Sequence, residues 1–184
     1  MSIISKKEID ILLSWINKNK NIFSVWPSTP AGEYHYYPFD IKYDLSQPIK
    51  DYKKLPDLFY EIKKRIIKKY NIPDDNWRDG PKLSDYIQII TEGGSIPQHK
   101  DENGIGNEHL HFYRYNLFLS VPEVGGIPVY DGKSINVKPG DLVLCESGNT
   151  FHGATEVEGK IPRIIVAYSF MHEYDNVYDT YGEI

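Results

Sequence analysis

Two of the six histidines sit where chemistry is possible: His99 in Pro97-Gln98-His99-Lys100-Asp101, and His152 in Thr150-Phe151-His152-Gly153. A His and an Asp two apart in extended chain project to the same side, so both can reach one ion. With His152 they supply two imidazoles and one carboxylate. On one face of an octahedral ion this set leaves three positions open, the arrangement that suits non-heme Fe(II) and O2 activation. By itself an H-x-D pair equally describes a solvated loop. A fourth residue adds weight. Arg163 follows His152 after ten residues and opens a stretch in which Arg163, Ile165, Ala167 and Ser169 alternate to one face. A guanidinium entering an apolar interior needs a planar anionic partner, because an unpaired buried charge costs several kcal/mol. The adjoining strands offer no obvious acid, whereas a bound dicarboxylate would serve through two parallel hydrogen bonds.

In the order His99-x-Asp101, then 50 residues to His152, then ten to Arg163, the chain resembles the 2-oxoglutarate- and Fe(II)-dependent oxygenases. It looks closest to their prolyl-hydroxylase-like branch, and the likeness covers about 86–170. The resemblance implies that His99, Asp101 and His152 bind Fe(II) and that Arg163 holds the distal carboxylate of 2-oxoglutarate. It also implies O2 as cosubstrate and admits ascorbate as an accessory. Tyr86, Gln88, Arg114 and Asn116 lie on strands that line the cosubstrate pocket in such enzymes, although parity without a register does not say which side chains face inward. Some relatives carry Arg-x-Ser on the last strand. Here Ile164 and Ile165 follow Arg163, so hydroxyl help is expected from Tyr86 or Tyr115. Halogenating relatives replace the carboxylate with a small residue, so the presence of Asp101 implies hydroxylation. The implied products are succinate, CO2 and a hydroxylated peptidyl residue, prolyl-like, or free amino acid. The aromatic-rich 26–43 segment offers surfaces for stacking a small ring.

These residues need elements to position them. In 6–19, Ile9, Leu12, Leu13 and Ile16 recur at helical spacing behind a Ser5/Glu8 capping box. A second amphipathic helix over 56–70 is stopped by Asn71-Ile72-Pro73. Between them, the proline- and tyrosine-rich 26–48 segment reads as irregular with short extended pieces. From Tyr86 onward the texture is β, with strands expected at 86–91, 113–120, 126–130, 133–137, 142–146 and 163–170. Asp131-Gly132 is a strong hairpin signal. Short strands joined by tight turns make an antiparallel sandwich or barrel, and helices first with strands after give an α+β, mainly β chain. The resemblance implies a double-stranded β-helix, or jelly-roll, core braced by N-terminal helices. One domain is expected over 1–184, with support in 1–85, the catalytic jelly-roll in 86–171 and an acidic tail in 172–184.

Composition narrows the field. The 184 residues are 40% hydrophobic and 14% aromatic, which argues against disorder. A net charge of -5 argues against wholesale nucleic-acid binding, though not against a local patch, and the resemblance implies a small-molecule or peptide substrate. No apolar run is long enough for a bilayer or a signal peptide, and the lone Cys145 excludes an internal disulfide, so a cytoplasmic location is expected. Other features carry competing readings. His109 and His111 suggest a cupin-like metal barrel, but the acid expected after them is absent. The lysine-rich 50–69 stretch reads as a solvated helix face or, less simply, a nucleic-acid patch for an oxidative demethylase. The 102–110 segment is expected to be a loop beside the metal motif, and Cys145 a core residue.

Overall fold

The first helix starts where the capping box places it. Ser5 N donates to the Glu8 carboxylate at 2.8 Å, while Glu8 N donates to Ser5 Oγ at 3.3 Å. The structure is a computed structural model, and it describes residues 3–27, 33–39, 55–72, 85–101 and 110–173. Helix α1 (Lys6–Lys18) is followed much later by α2 (Asp57–Tyr70), which ends as Asn71 takes the left-handed conformation at φ 49°. Both helices turn their apolar stripes inward. Leu12, Ile16, Phe59, Ile62 and Ile66 are fully buried. Arg65 ties the two helices together, donating to Glu8 at 2.8 Å and to the Ile3 carbonyl at 3.3 Å.

The strands are β1 (Ser24–Pro27), β2 (Glu33–Phe39), β3 (Asp85–Ile90), β4 (Ile96–His99), β5 (Leu110–Ser120) and β6 (Val124–Gly125). They continue as β7 (Pro128–Tyr130), β8 (Lys133–Ser134), β9 (Leu142–Glu146), β10 (His152–Ala154), β11 (Val157–Glu158) and β12 (Arg163–Glu173). A six-stranded sheet runs β1-β2-β3-β12-β5-β9, a four-stranded sheet runs β4-β10-β7-β8, and β11 pairs with β6. Every pairing is antiparallel. The β7–β8 hairpin turns on Asp131 and Gly132 at φ 46° and 76°, the two positive angles that a type I′ turn requires.

Strands β5 and β12 of the large sheet are buried on both faces. Along β5, Tyr113, Tyr115, Leu117 and Leu119 pack with the helices, together with Ile164, Val166, Tyr168 and Phe170 of β12. The alternate residues Phe118, Ile165 and Ala167 face the four-stranded sheet and meet Tyr130, Val143 and Cys145. This is why β12 reads as continuously apolar. Cys145 is in the core as expected, and burial pushes its thiol up.

Several expectations change. Among the described residues of the 26–48 segment, the short extended pieces expected there include a seven-residue strand, β2, which pairs with β3 from Tyr34↔Ile90 to Phe39↔Asp85. Aromatic residues favour strands, and a long open edge on β3 outweighs the local effect of Pro38. The N-terminal half therefore supplies strands as well as helices. Strand β12 continues through His172 and Glu173, taking in the start of the supposed tail. Lys63, counted with the solvated basic face, instead turns inward to a buried Asp85 at 2.6 Å. The remainder of 26–48 beyond Phe39, residues 102–109 including His109, and 174–184 lie outside the described residues. No helix among the described residues is long and apolar enough to cross a membrane.

Candidate metal and cosubstrate site

Strand β10 pairs with β4 so that His152 stands directly opposite His99. Neither histidine was expected inside a strand, yet this pairing is what brings the two together. Gly153 permits the close approach, since a Cβ there would come within 2.5 Å of the Ile96 carbonyl oxygen. Just beyond β4, Asp101 N donates to the Ser147 carbonyl at 2.8 Å, which anchors the third residue of the motif to the end of β9. One ligand atom from each of His99, Asp101 and His152 lies within 4.8 Å of the others. Asp101 Oδ1 is 3.7 Å from His99 Nε2 and 3.8 Å from His152 Nε2. Those separations are too long for hydrogen bonds and short enough for a shared ion, whose ligand atoms sit ~2.1 Å from it.

The donor atoms are already aimed. His99 Nδ1 lies 2.9 Å from the Pro97 carbonyl and His152 Nδ1 lies 3.1 Å from the Thr150 carbonyl. A carbonyl only accepts, so each Nδ1 carries the proton and each Nε2 keeps its lone pair toward Asp101. Burial works against ionisation of Asp101, but His99, Arg114 and Ser147 hold its carboxyl well below the usual carboxylate range. The same carboxylate pushes His99 up, while burial pushes His152 down. A carboxylate anion beside two such imidazoles fits a divalent metal ion.

The triad opens into a cavity of about 160 Å³ between the two sheets. The His99 side chain is 49% exposed and marks the open end. Arg163 is only 4% exposed and marks the closed end, where it donates to Gln88 Oε1 and lies over the Phe118 ring at 5.2 Å. Its guanidinium therefore stays inside and does not reach back to solvent.

Tyr86, Gln88, Arg114 and Asn116 all line this cavity. Their places differ. Gln88 orients Arg163 at the closed end. Arg114 is at the metal end, with Nε 2.8 Å from Asp101 Oδ2. Asn116 Nδ2 donates to the Tyr130 hydroxyl at 3.2 Å, and its buried Oδ1 has no hydrogen-bond partner among the described residues. Tyr115 does not face the cavity. It packs on the helix side, 5.3 Å from the Tyr70 ring and 5.5 Å from that of Phe170, so its parity removes it as a hydroxyl donor to a bound acid.

Sequence reasoning missed Tyr130, which lies across from His152 in the β7–β10 pairing and lines the cavity. Its position before Asp131-Gly132 marked a hairpin but gave no direction for its ring. Ser169 was assigned to the face of Arg163 without a role. Its hydroxyl accepts from Arg114 at 2.7 Å.

No family model and no curated protein matches the chain by sequence. Solved structures do match in fold. HygX from Streptomyces hygroscopicus, with nickel and 2-oxoglutarate bound, is similar at a TM-score of 0.62 and 11% identity, covering 92% of this chain and 80% of that one. The viral collagen prolyl hydroxylase of Paramecium Bursaria Chlorella virus-1, in complex with 2-oxoglutarate, is similar at a TM-score of 0.61 and 14% identity, covering 92% of both chains. A prolyl-4-hydroxylase from Pseudomonas putida is similar at 0.56 and 12%, covering 94% of this chain and 89% of that one. The chain thus shares its overall fold with these proteins.

Proposed function

We propose that this chain is a non-heme Fe(II)- and 2-oxoglutarate-dependent dioxygenase built on a double-stranded β-helix. The reaction is hydroxylation of a C–H bond in a small substrate, a prolyl-like peptidyl residue or a free amino acid. One observation carries the reading: a His/Asp/His triad and a buried arginine line a single small cavity. The fold shared with HygX and the two prolyl hydroxylases supports it, since those proteins are described with 2-oxoglutarate or as hydroxylases.

His99, Asp101 and His152 are the residues that would hold the iron. When bound, it would supply oxidative decarboxylation of 2-oxoglutarate to succinate and CO2, one oxygen atom of O2 entering succinate and the other the substrate C–H bond. The protein does the rest. Both Nδ1–H groups stay on backbone carbonyls, which fixes the tautomer and leaves each Nε2 directed at the metal position. Arg163 at the closed end would pair with a carboxylate, and Gln88 holds its guanidinium in line for it. The buried walls, including Ile165 and Tyr130, exclude water from the space between. Substrate must come from the His99 side, where the cavity is open.

Anaerobic titration with Fe(II) and 2-oxoglutarate should produce a visible charge-transfer band. Amino acids, prolyl peptides and nucleosides can then be screened for substrate-stimulated succinate release, with amino acids or prolyl peptides expected to respond. His152→Ala should abolish both signals, a larger loss than the ~10–100-fold typical of residues that merely support a ligand. Absence of the band, or succinate release untouched by His152→Ala, would overturn the reading.

A further inference from the structure

The metal motif is tied to the helix layer by a line of buried polar groups. Asp101 Oδ2 accepts from Arg114 Nε at 2.8 Å. Arg114 Nη1 donates to Ser169 Oγ at 2.7 Å, across the Arg114↔Ser169 pair of β5 and β12. Ser169 N donates to Asp85 Oδ1 at 2.9 Å, and Asp85 Oδ2 takes Lys63 Nζ at 2.6 Å. Lys63, Asp85 and Ser169 are all buried, and Arg114 is nearly so. The guanidinium also lies over two rings, 4.8 Å from the centre of Tyr86 and 4.5 Å from that of Phe112. Two hydrogen bonds in different directions and two aromatic faces leave it a single pose.

That pose divides the labour of the carboxylate. Oδ1 is the oxygen turned to both histidine Nε2 atoms, and Oδ2 is occupied by Arg114. A carboxylate with both oxygens available can chelate a metal, taking a second coordination position. In an octahedral centre with three protein ligands, a chelating cosubstrate needs two positions and O2 one, so an extra bond from Asp101 would block one of them. We propose that Arg114 is a positioning residue that restricts Asp101 to one metal bond, with Ser169, Asp85 and Lys63 fixing Arg114 from the helix side of the sheet. The proposal rests on the metal-site reading above. It assigns Arg114 a task at the metal end of the cavity and none on the far carboxylate of a cosubstrate.

Co(II) binding tests it without turnover. The metal-free protein is titrated with Co(II) alone, and affinity and visible absorption are read together. Parent protein that binds no Co(II), or binds it as well after His152→Ala, would bring down the metal-site reading itself. With parent binding established, Arg114→Met should shift Co(II) affinity by ~10–100-fold, the usual size of an outer-shell effect, and change the shape and intensity of its absorption as the freed Asp101 oxygen reaches the metal. Arg114→Lys, which keeps the charge but cannot bond Asp101 and Ser169 in two directions, should fall between. Ser169→Ala removes one hydroxyl and leaves the backbone bond to Asp85 possible, so it guards against a folding defect at position 114. It should shift affinity and spectrum the same way by several-fold. A role limited to stability would lower the unfolding midpoint of the metal-free variants and leave the Co(II) spectrum of folded protein untouched. Parent affinity and an unchanged spectrum in both Arg114→Met and Ser169→Ala would overturn the proposal while the metal site stands.

Discussion

The two faces of the large sheet are made by the same strands and have opposite characters. On β5, the helix-side residues Tyr113, Tyr115, Leu117 and Leu119 join a continuous apolar core, while Arg114 and Asn116 on the alternate face line the cavity. On β12, Ile164, Val166 and Tyr168 face the helices while Arg163 and Ser169 face the site. One face removes apolar surface from water and stabilises the fold. The other buries a guanidinium and a carboxamide that do nothing for stability beyond satisfying one another, and that a bound acid would use. A two-residue period lets one strand serve both ends without compromise, because changing the outer residue leaves the inner one in place.

If that division holds, the faces should fail independently. Phe59→Ala, which empties a fully buried ring position between α2 and the sheet, should cost ~3–5 kcal/mol in urea unfolding. Per folded molecule, its affinity for 2-oxoglutarate with Ni(II) should match the parent; a parallel loss of affinity would break the separation. On the other face, Arg163→Met should weaken 2-oxoglutarate binding by ~2 kcal/mol or more, about 30-fold by calorimetry. Its unfolding midpoint should stay level or rise, because an apolar chain of similar length replaces a buried charge. Parent-like binding would show that the inner face is structural after all.

A smaller effect tests the outer face at its edge. Glu8→Gln removes the charge that both closes the capping box and meets Arg65, and should cost ~1 kcal/mol at neutral pH. The Arg65 guanidinium, with Ser5, lowers the Glu8 carboxyl to about 2. Its folded value lies below the unfolded one of ~4.3, so the contribution is complete above that pH and fades as pH falls toward about 2. The gap between parent and Glu8→Gln should therefore be widest at pH 6, narrow below ~4.3 and close only as pH falls through about 2. A gap independent of pH would remove the ion pair as its source.

Much of this was legible locally. The Ser5/Glu8 box, the Asp131-Gly132 turn, strand β9 and the faces of β5 follow from two- to four-residue patterns, and the structure repeats them closely. What failed was what depended on neighbours. Short extended pieces were expected within 26–48, but their bounds and partner strand were not, since only the edge of β3 places β2 in the sheet. Tyr115 and Arg114 were offered for the same pocket, although their adjacent positions guaranteed that one of them would point away. Tyr130 carried no signal, because a hairpin residue declares its turn and not its partner strand.

From the residues alone came the inventory and its order: two histidines, an aspartate and an arginine, carried on a β-rich stretch whose strands alternate. Alternation repeats every two residues and is set by local backbone geometry, so one chain suffices to read it. Opposition of His99 and His152, selection of Asp101 Oδ2 by Arg114, and enclosure of Arg163 required strands far apart in the chain to choose partners and register. Register is decided by the whole set of side chains buried between sheets and helices, since a slip of one residue would exchange every inward group for an outward one.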